Sequence, residues 1–257
     1  MAAVSQQTKQ RIALETAHNV RDLGGYQTAD GLVTTSRFIR SDCFMPLGEA
    51  DARILFDLNV RTVIDLRNRA ERDKIPSNLS AYPEVDYIVL PIYPEESIQQ
   101  DWSKMTSGNF TMGVLYIDML DNQHQSIRKF FECAAAAQPG RILFHCSAGK
   151  DRTGLLSALL LKLSGVNDAD IVQDYALTEI LLAKILPALK ATSGIPAASN
   201  SFVDEMLGSK PANMVRLLAH LREKYGTAES YLNAIGVSVE TMEAIRNSMT
   251  ERAIKHE

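Results

Sequence analysis

A chain of 257 residues is long enough for one large α/β domain, with or without an appended subdomain, and its 46% hydrophobic and 23% charged residues are those of an ordinary globular protein. With 27 basic against 31 acidic residues the net charge is only −4, which argues against general nucleic-acid or membrane binding while leaving room for a local basic pocket. Three cysteines, Cys43, Cys133 and Cys146, are too few and odd in number for a disulfide framework and fit a reducing compartment.

The first ten residues are polar, without the apolar core of a secretory signal. The longest apolar stretch, residues 155–163, is interrupted by Ser157 and Lys162 and falls far short of the ~20 residues a membrane span needs. A cytoplasmic location is therefore expected. Asn19-Val20-Arg21-Asp22-Leu23-Gly24-Gly25-Tyr26 opens the ordered region, and Asp30-Gly31 between two extended stretches predicts a β-hairpin whose second arm ends in Arg40-Ser41-Asp42. Residues 49–58 have helical spacing, with Ile54, Leu55 and Leu58 on one face and Asn59 as the cap. Residues 60–66 and 87–90 read as strands, and residues 113–120 as a helix. Residues 126–137 form a helix with Ile127, Phe130, Phe131 and Ala134 inward, stopped by Pro139-Gly140. A strand at 142–145, a tight loop and a leucine-rich helix follow, and from Asp168 the pattern is helical to the end. The small, polar segment 191–200 joins helices at 176–190 and 201–207, so residues 176–210 are expected to form a helical lid, or an insert that only packs. Strands alternating with helices imply a single α/β domain over 1–257, with a mainly parallel central sheet flanked by helices and a ligand site beyond the carboxyl ends of its strands.

Cys146 falls at such an end, in His145-Cys146-Ser147-Ala148-Gly149-Lys150-Asp151-Arg152-Thr153-Gly154. Strand, tight loop and helix start is the geometry of an anion site. The loop and first-turn N–H groups have no intrahelical partner, and the helix dipole adds partial positive charge. A phosphate-sized dianion fits such a cradle, formed here by Ser147, Ala148, Gly149 and Lys150. A cysteine at its base ionises easily. Cys-x5-Arg thus points to phosphate-ester cleavage through a phosphocysteine, with Cys146 as nucleophile and Arg152 gripping two phosphate oxygens with its planar fork. The Thr153 hydroxyl is placed to donate to the sulfur or to cap the helix. His145, pointing the other way from its neighbour on a strand, is expected to brace the loop from behind. The remaining histidines make no metal-ligand spacing with it, and no metal or cofactor is expected.

Expelling an alkoxide or phenolate needs a general acid. The one tryptophan, Trp102, is followed by Ser103-Lys104, so a Trp-Pro-Asp loop is missing. Asp151, inside the loop, is the preferred acid, with a purely structural ion pair as its bland alternative; Asp118 and Asp121 are the other candidates. Lys150 is expected at the mouth of the pocket, where its charge suits a substrate with several phosphates, unless it is merely solvated. A non-catalytic phosphate-binding module and a sulfur-transfer enzyme are the other functional classes; the arginine and threonine opening the helix favour phosphate chemistry.

With these residues in view, the chain resembles the atypical bacterial tyrosine phosphatases that carry a His-Cys-x-x-Gly-Lys-Asp-Arg-Thr-Gly loop. The resemblance extends over nearly the whole chain, through the segment at 19–25, Arg40-Ser41-Asp42, Val63-Ile64-Asp65-Leu66-Arg67 with Glu71, and Glu223-Lys224-Tyr225-Gly226 with Tyr231-Leu232. It implies a cysteine-phosphatase α/β fold with a helical lid and a metal-free mechanism. The implied substrates are phosphotyrosine proteins, sometimes also phosphoserine/threonine and phosphoinositide headgroups. It also implies that the loop aspartate, Asp151, is the acid and that the loop lysine, Lys150, is linked to lipid substrates. Asp65 and Arg67 then lie near the loop, either orienting Asp151 or Arg152 or forming a buried ion pair.

Overall fold

The computed structural model describes residues 10–43, 46–92, 111–187 and 200–252. Its centre is a five-stranded sheet of β1 (Arg21–Asp22), β3 (Phe38–Ser41), β6 (Arg141–His145), β4 (Val60–Asp65) and β5 (Asp86–Val89), in that spatial order. The pairings β3–β6, β6–β4 and β4–β5 are parallel, and only β1 runs antiparallel to its neighbour. Alternation along the strands builds two cores. Phe38, Ile64, Ile142 and Phe144 face one side, whereas Ile39, Val63 and Leu143 face the other.

The first side is covered by α3 (Met112–Asn122), α4 (His124–Ala136), α5 (Asp151–Leu163), α6 (Asp168–Leu182), α8 (Pro211–Tyr225), α9 (Ala228–Ala234) and α10 (Val239–Met249). Helix α5 is the hub: ten of its thirteen residues are buried, from Thr153 through Leu163, which is why it reads as leucine-rich on every face. The second side is covered by α1 (Glu49–Asp57) and the segment before β1. The short α2 (Arg69–Lys74) begins with a capping box, in which Asn68 accepts from the Glu71 N–H and the Glu71 carboxylate accepts from the Asn68 N–H.

Three local expectations are corrected. In α1 the inward residues are Asp51, Ala52 and Leu55, while Ile54 is exposed; the Asp51 carboxylate turns in because it accepts the N–H groups of Glu15 and Thr16. Asn59 does cap the helix, in the left-handed region at φ 61°. The tail is not helical to the end: β7 (Thr250–Arg252) pairs antiparallel with β2 (Leu32–Thr34), the second arm of the expected hairpin at Asp30-Gly31. Finally, residues 176–182 are no separate lid helix. They continue α6, which starts at Asp168 behind the Asn167 cap and buries Asp174, Tyr175 and Thr178. Helix α7 (Asn200–Leu207) lies where the second lid helix is expected. Residues 188–199, and Trp102 with its loop, lie outside the described residues.

Candidate active site

Strand β6 delivers Cys146 to the carboxyl edge of the sheet, and the loop closes into α5 within five residues. Cys146 is 1% exposed and sits against the larger core. The loop carbonyls face away from it. Ser147 O accepts from the Cys43 N–H at 3.0 Å, and the Asn19 side-chain amide donates to Ala148 O at 2.9 Å and Gly149 O at 3.1 Å. Arg40 Nη2 adds 2.8 Å to Gly149 O. In a planar peptide the N–H points opposite the carbonyl. Binding these three carbonyls from outside therefore turns the N–H groups of Ala148, Gly149 and Lys150 inward, as an anion-binding nest. Gly149 makes the turn possible: its φ is +64°, and a Cβ there would stand 2.4 Å from Ser41 O.

The outer frame is itself braced. Asn19 Oδ1 accepts from Arg21, and its backbone N–H donates to Asp42 at 2.9 Å. Arg21 and Arg40 both pair with Asp174 of α6, and all three side chains are at most 2% exposed. Burial alone pushes the Asp174 carboxyl up, but the two guanidiniums outweigh it and hold the group below its ordinary range.

Arg152 reaches back to α2. Its Nη1 and Nη2 donate to the two Glu71 oxygens at 2.6 Å each, and Ser147 Oγ donates to Glu71 Oε1 at 2.6 Å. The expected two-pronged grip is thus met by Glu71 on the outer face of the guanidinium, which leaves the remaining N–H groups for a bound oxyanion. Burial works against the Arg152 charge, but Glu71, Cys146 and Asp151 together raise its pKa above the ordinary value. Burial likewise opposes the Glu71 charge, yet Arg152, Ser147 and the Asn68 N–H lower its pKa to about 2.

Asp65 and Arg67 pair with each other. Arg67 Nη2 lies 2.7 Å from Asp65 Oδ2, which also accepts from the Tyr87 hydroxyl at 2.6 Å, and Arg67 Nη1 donates to Ile75 O at 2.7 Å. Among the described residues neither bonds to Asp151 or Arg152, so the buried-ion-pair reading fits and the orienting one does not. The pair backs His145 instead: its Nε2 is 3.9 Å from Asp65, and its Nδ1 is 3.1 Å from Cys146 O. Burial dominates His145 and lowers its pKa, keeping the ring neutral behind the loop. The Asp65 carboxyl, buried but bound by Arg67, falls to about 2.

Both Asp65 and Glu71 have folded pKa values below their unfolded values of about 4. Their contribution to stability is fully present above that range and is lost as pH falls through about 4 toward about 2. An acid titration followed by far-UV circular dichroism is expected to show a cooperative loss in that window. Glu71→Gln should start from lower stability and show a shallower pH slope there; an unchanged slope would remove Glu71 from the balance.

Lys150 departs from expectation. It is 2% exposed, not at the pocket mouth, and its Nζ donates to Met206 O and, at 3.1 Å, to Gly208 O. The C-terminal carbonyls of α7 have no intrahelical partner, and a buried ammonium needs acceptors; each supplies what the other lacks. Asp151 is partly exposed and takes the Tyr116 hydroxyl on Oδ1 at 2.5 Å, with Lys150 Nζ at 3.4 Å from the same oxygen. Asp118 and Asp121 are elsewhere. Asp118 accepts from Asn122 on its own helix, and Asp121 is tied to His220, Lys224 and Tyr225 of α8. Among the described residues, nothing bonds the fully buried Thr153 hydroxyl, and no group of three or more His, Cys, Asp or Glu side chains is arranged to hold a metal ion.

Sequence reasoning missed Tyr116 and Asp174, which are spaced like ordinary helix residues. It noted Asn19, Arg21, Arg40 and Glu71 within motifs but gave them no role. The adjacency of Asn19-Val20-Arg21-Asp22 and Arg40-Ser41-Asp42, polar runs where core strands are expected, was the available signal.

A model described as the tyrosine phosphatase family matches residues 12–251. A Nostoc commune protein named tyrosine-protein phosphatase is 31% identical over 229 residues, covering 83% of this chain and 74% of that protein. The triple specificity protein phosphatase PtpB of Mycobacterium tuberculosis is 26% identical, with 91% and 96% of the two chains covered. Among solved structures, that of P. aeruginosa TpbA aligns over 82% of this chain and 96% of its own, at 16% identity and a TM-score of 0.41.

Proposed function

Because the chain belongs to the tyrosine phosphatase family, and is a phosphatase, we propose that it cleaves phosphotyrosine monoesters by two displacements at Cys146. The Cys146 thiolate attacks phosphorus. The S–P bond forms, the P–O bond to the phenol breaks, and Asp151 gives its proton to the leaving oxygen. Water then attacks the phosphocysteine and passes a proton to Asp151, and the thiolate leaves. The inward N–H groups of residues 148–150 and the free edge of Arg152 hold the equatorial oxygens in both steps. Thr153, its hydroxyl unclaimed among the described residues, stabilises the sulfur as it leaves, and His145 keeps the strand end rigid from behind.

The observation that carries this reading is the outward binding of three consecutive loop carbonyls, together with a guanidinium locked by Glu71. Both features cost buried polar groups, and both prepare one site for a dianion above one sulfur. Phosphoserine, phosphothreonine and phosphoinositide headgroups are proposed as secondary substrates, in line with the triple specificity of the mycobacterial relative's name. For a headgroup with a second phosphate, Lys150 would have to leave the Met206 and Gly208 carbonyls. The reading also places the enzyme in a reducing compartment, since the nucleophile must stay a thiolate; all three cysteines are free.

Replacing Asp151 with Asn tests the acid. Turnover of a phosphotyrosine peptide is expected to fall by about 10² or more, while p-nitrophenyl phosphate, whose leaving group needs little protonation, loses far less. Equal losses on the two substrates would make Asp151 a structural anion.

A further inference from the structure

Asp151 is the first residue of α5, and a chain of two phenols reaches it from the core. Tyr116 of α3 is 1% exposed and Tyr175 of α6 is 0% exposed; their hydroxyl oxygens are 2.7 Å apart and their rings meet edge to face at 5.8 Å. Tyr116 donates onward to Asp151 Oδ1 at 2.5 Å. The ammonium of Lys150 approaches the same oxygen. Among the described residues, nothing bonds Oδ2. An oxygen that accepts the Tyr116 hydroxyl and faces the Lys150 ammonium is poorly placed to carry a proton of its own; the other oxygen of the carboxyl is free to do so.

We propose that Tyr116, backed by Tyr175, is a positioning residue for the general acid: it pins Oδ1 of Asp151 and assigns the transferable proton to Oδ2. This rests on the reading of Asp151 as the acid. Burial keeps both phenols neutral by raising their pKa values, so they remain donors over the whole working range. Among the described residues, the ionisable groups facing Asp151 or the Tyr116–Tyr175 pair are Lys150 in the loop, Arg152 on α5, Tyr116 on α3, Tyr175 on α6 and, through Tyr175, Arg40 on β3 and Glu205 on α7. Of these, only Tyr116 is a neutral donor at hydrogen-bond distance from the carboxyl. Gly154 lets the arrangement close, since a Cβ at that position would stand 3.3 Å from the Tyr175 ring.

The test compares Tyr116→Phe, Tyr175→Phe and Asp151→Asn, each checked for cooperative melting. The Tyr116→Phe variant lacks the hydroxyl that fixes Oδ1 of Asp151 and keeps the residues that hold phosphate. Its kcat on phosphotyrosine peptide should fall about tenfold with KM nearly unchanged, and less on p-nitrophenyl phosphate, because the carboxyl is no longer aimed. Tyr175→Phe should show the same pattern with a smaller loss, and it carries the test if Tyr116→Phe does not fold. A kcat and leaving-group dependence that stay at wild type in the folded variants, while Asp151→Asn shows the loss expected of an acid, would overturn the role of Tyr116 alone. Equal losses on both substrates in Asp151→Asn would overturn the acid assignment and this proposal with it.

Discussion

Replacing Cys146 with serine is expected to abolish turnover, by a factor on the order of 10⁴ or more, while the protein keeps its fold and its melting temperature within a few degrees. The reason is local. The N–H groups of residues 148–150, turned inward by Asn19, Arg40 and Cys43, are placed to hold a phosphate over residue 146, where a serine hydroxyl is a far poorer nucleophile than a cysteine sulfur. Serine is nearly the same size, so the core around residue 146 has no cavity to absorb. The phosphate cradle survives, and the variant is expected to hold a phosphotyrosine peptide at least as tightly as the wild-type enzyme at equilibrium. Phosphate release and a binding isotherm on the same preparation read both expectations.

The second large effect is on stability. Asp174→Ala is expected to cost about 3–5 kcal/mol, because it leaves the buried guanidiniums of Arg21 and Arg40 without their anion. For a chain of this size that is a fall in melting temperature of roughly 6–20 °C. Activity should fall with it even at temperatures where the variant is folded. Arg40 holds Gly149 O, and Arg21 orients the Asn19 amide that holds Ala148 O and Gly149 O. Asp174 is on α6, far from the nucleophile in sequence, yet it anchors the frame that turns the loop carbonyls outward. Differential scanning calorimetry with a kinetic assay at low temperature separates the two effects. A variant with wild-type melting and slow turnover would show that the network tunes the loop without supporting the fold.

The loop was legible in the sequence because its chemistry is local: strand end, nucleophile, glycine turn, arginine and helix start follow within ten residues. The central sheet was legible too, because Phe38, Ile39, Ile142, Leu143 and Phe144 alternate between two cores and the intervening helices carry clear apolar stripes. What the chain did not reveal depends on partners set by packing. Glu71 meets Arg152 across 81 residues, and Arg21 meets Asp174 across 153. No periodicity encodes either pairing. Lys150 reads as a charge at the mouth of the pocket until the end of α7 is seen to lie over it and offer two carbonyls. Strand β7 is short and follows a helix directly, so only its pairing with β2 identifies it. Ile54 points outward because Asp51, held by the N–H groups at residues 15 and 16, fixes how α1 is rotated.

Covalent catalysis by one sulfur is read directly by rapid-quench trapping. Enzyme mixed with a phosphotyrosine peptide and stopped within milliseconds should carry phosphate on Cys146, mapped by peptide mass spectrometry, in an amount approaching one per site before steady state. The Cys146→Ser protein should carry none. Phosphotyrosine turnover in the wild-type enzyme without phosphate ever appearing on Cys146, or turnover that survives in the serine variant, would contradict it.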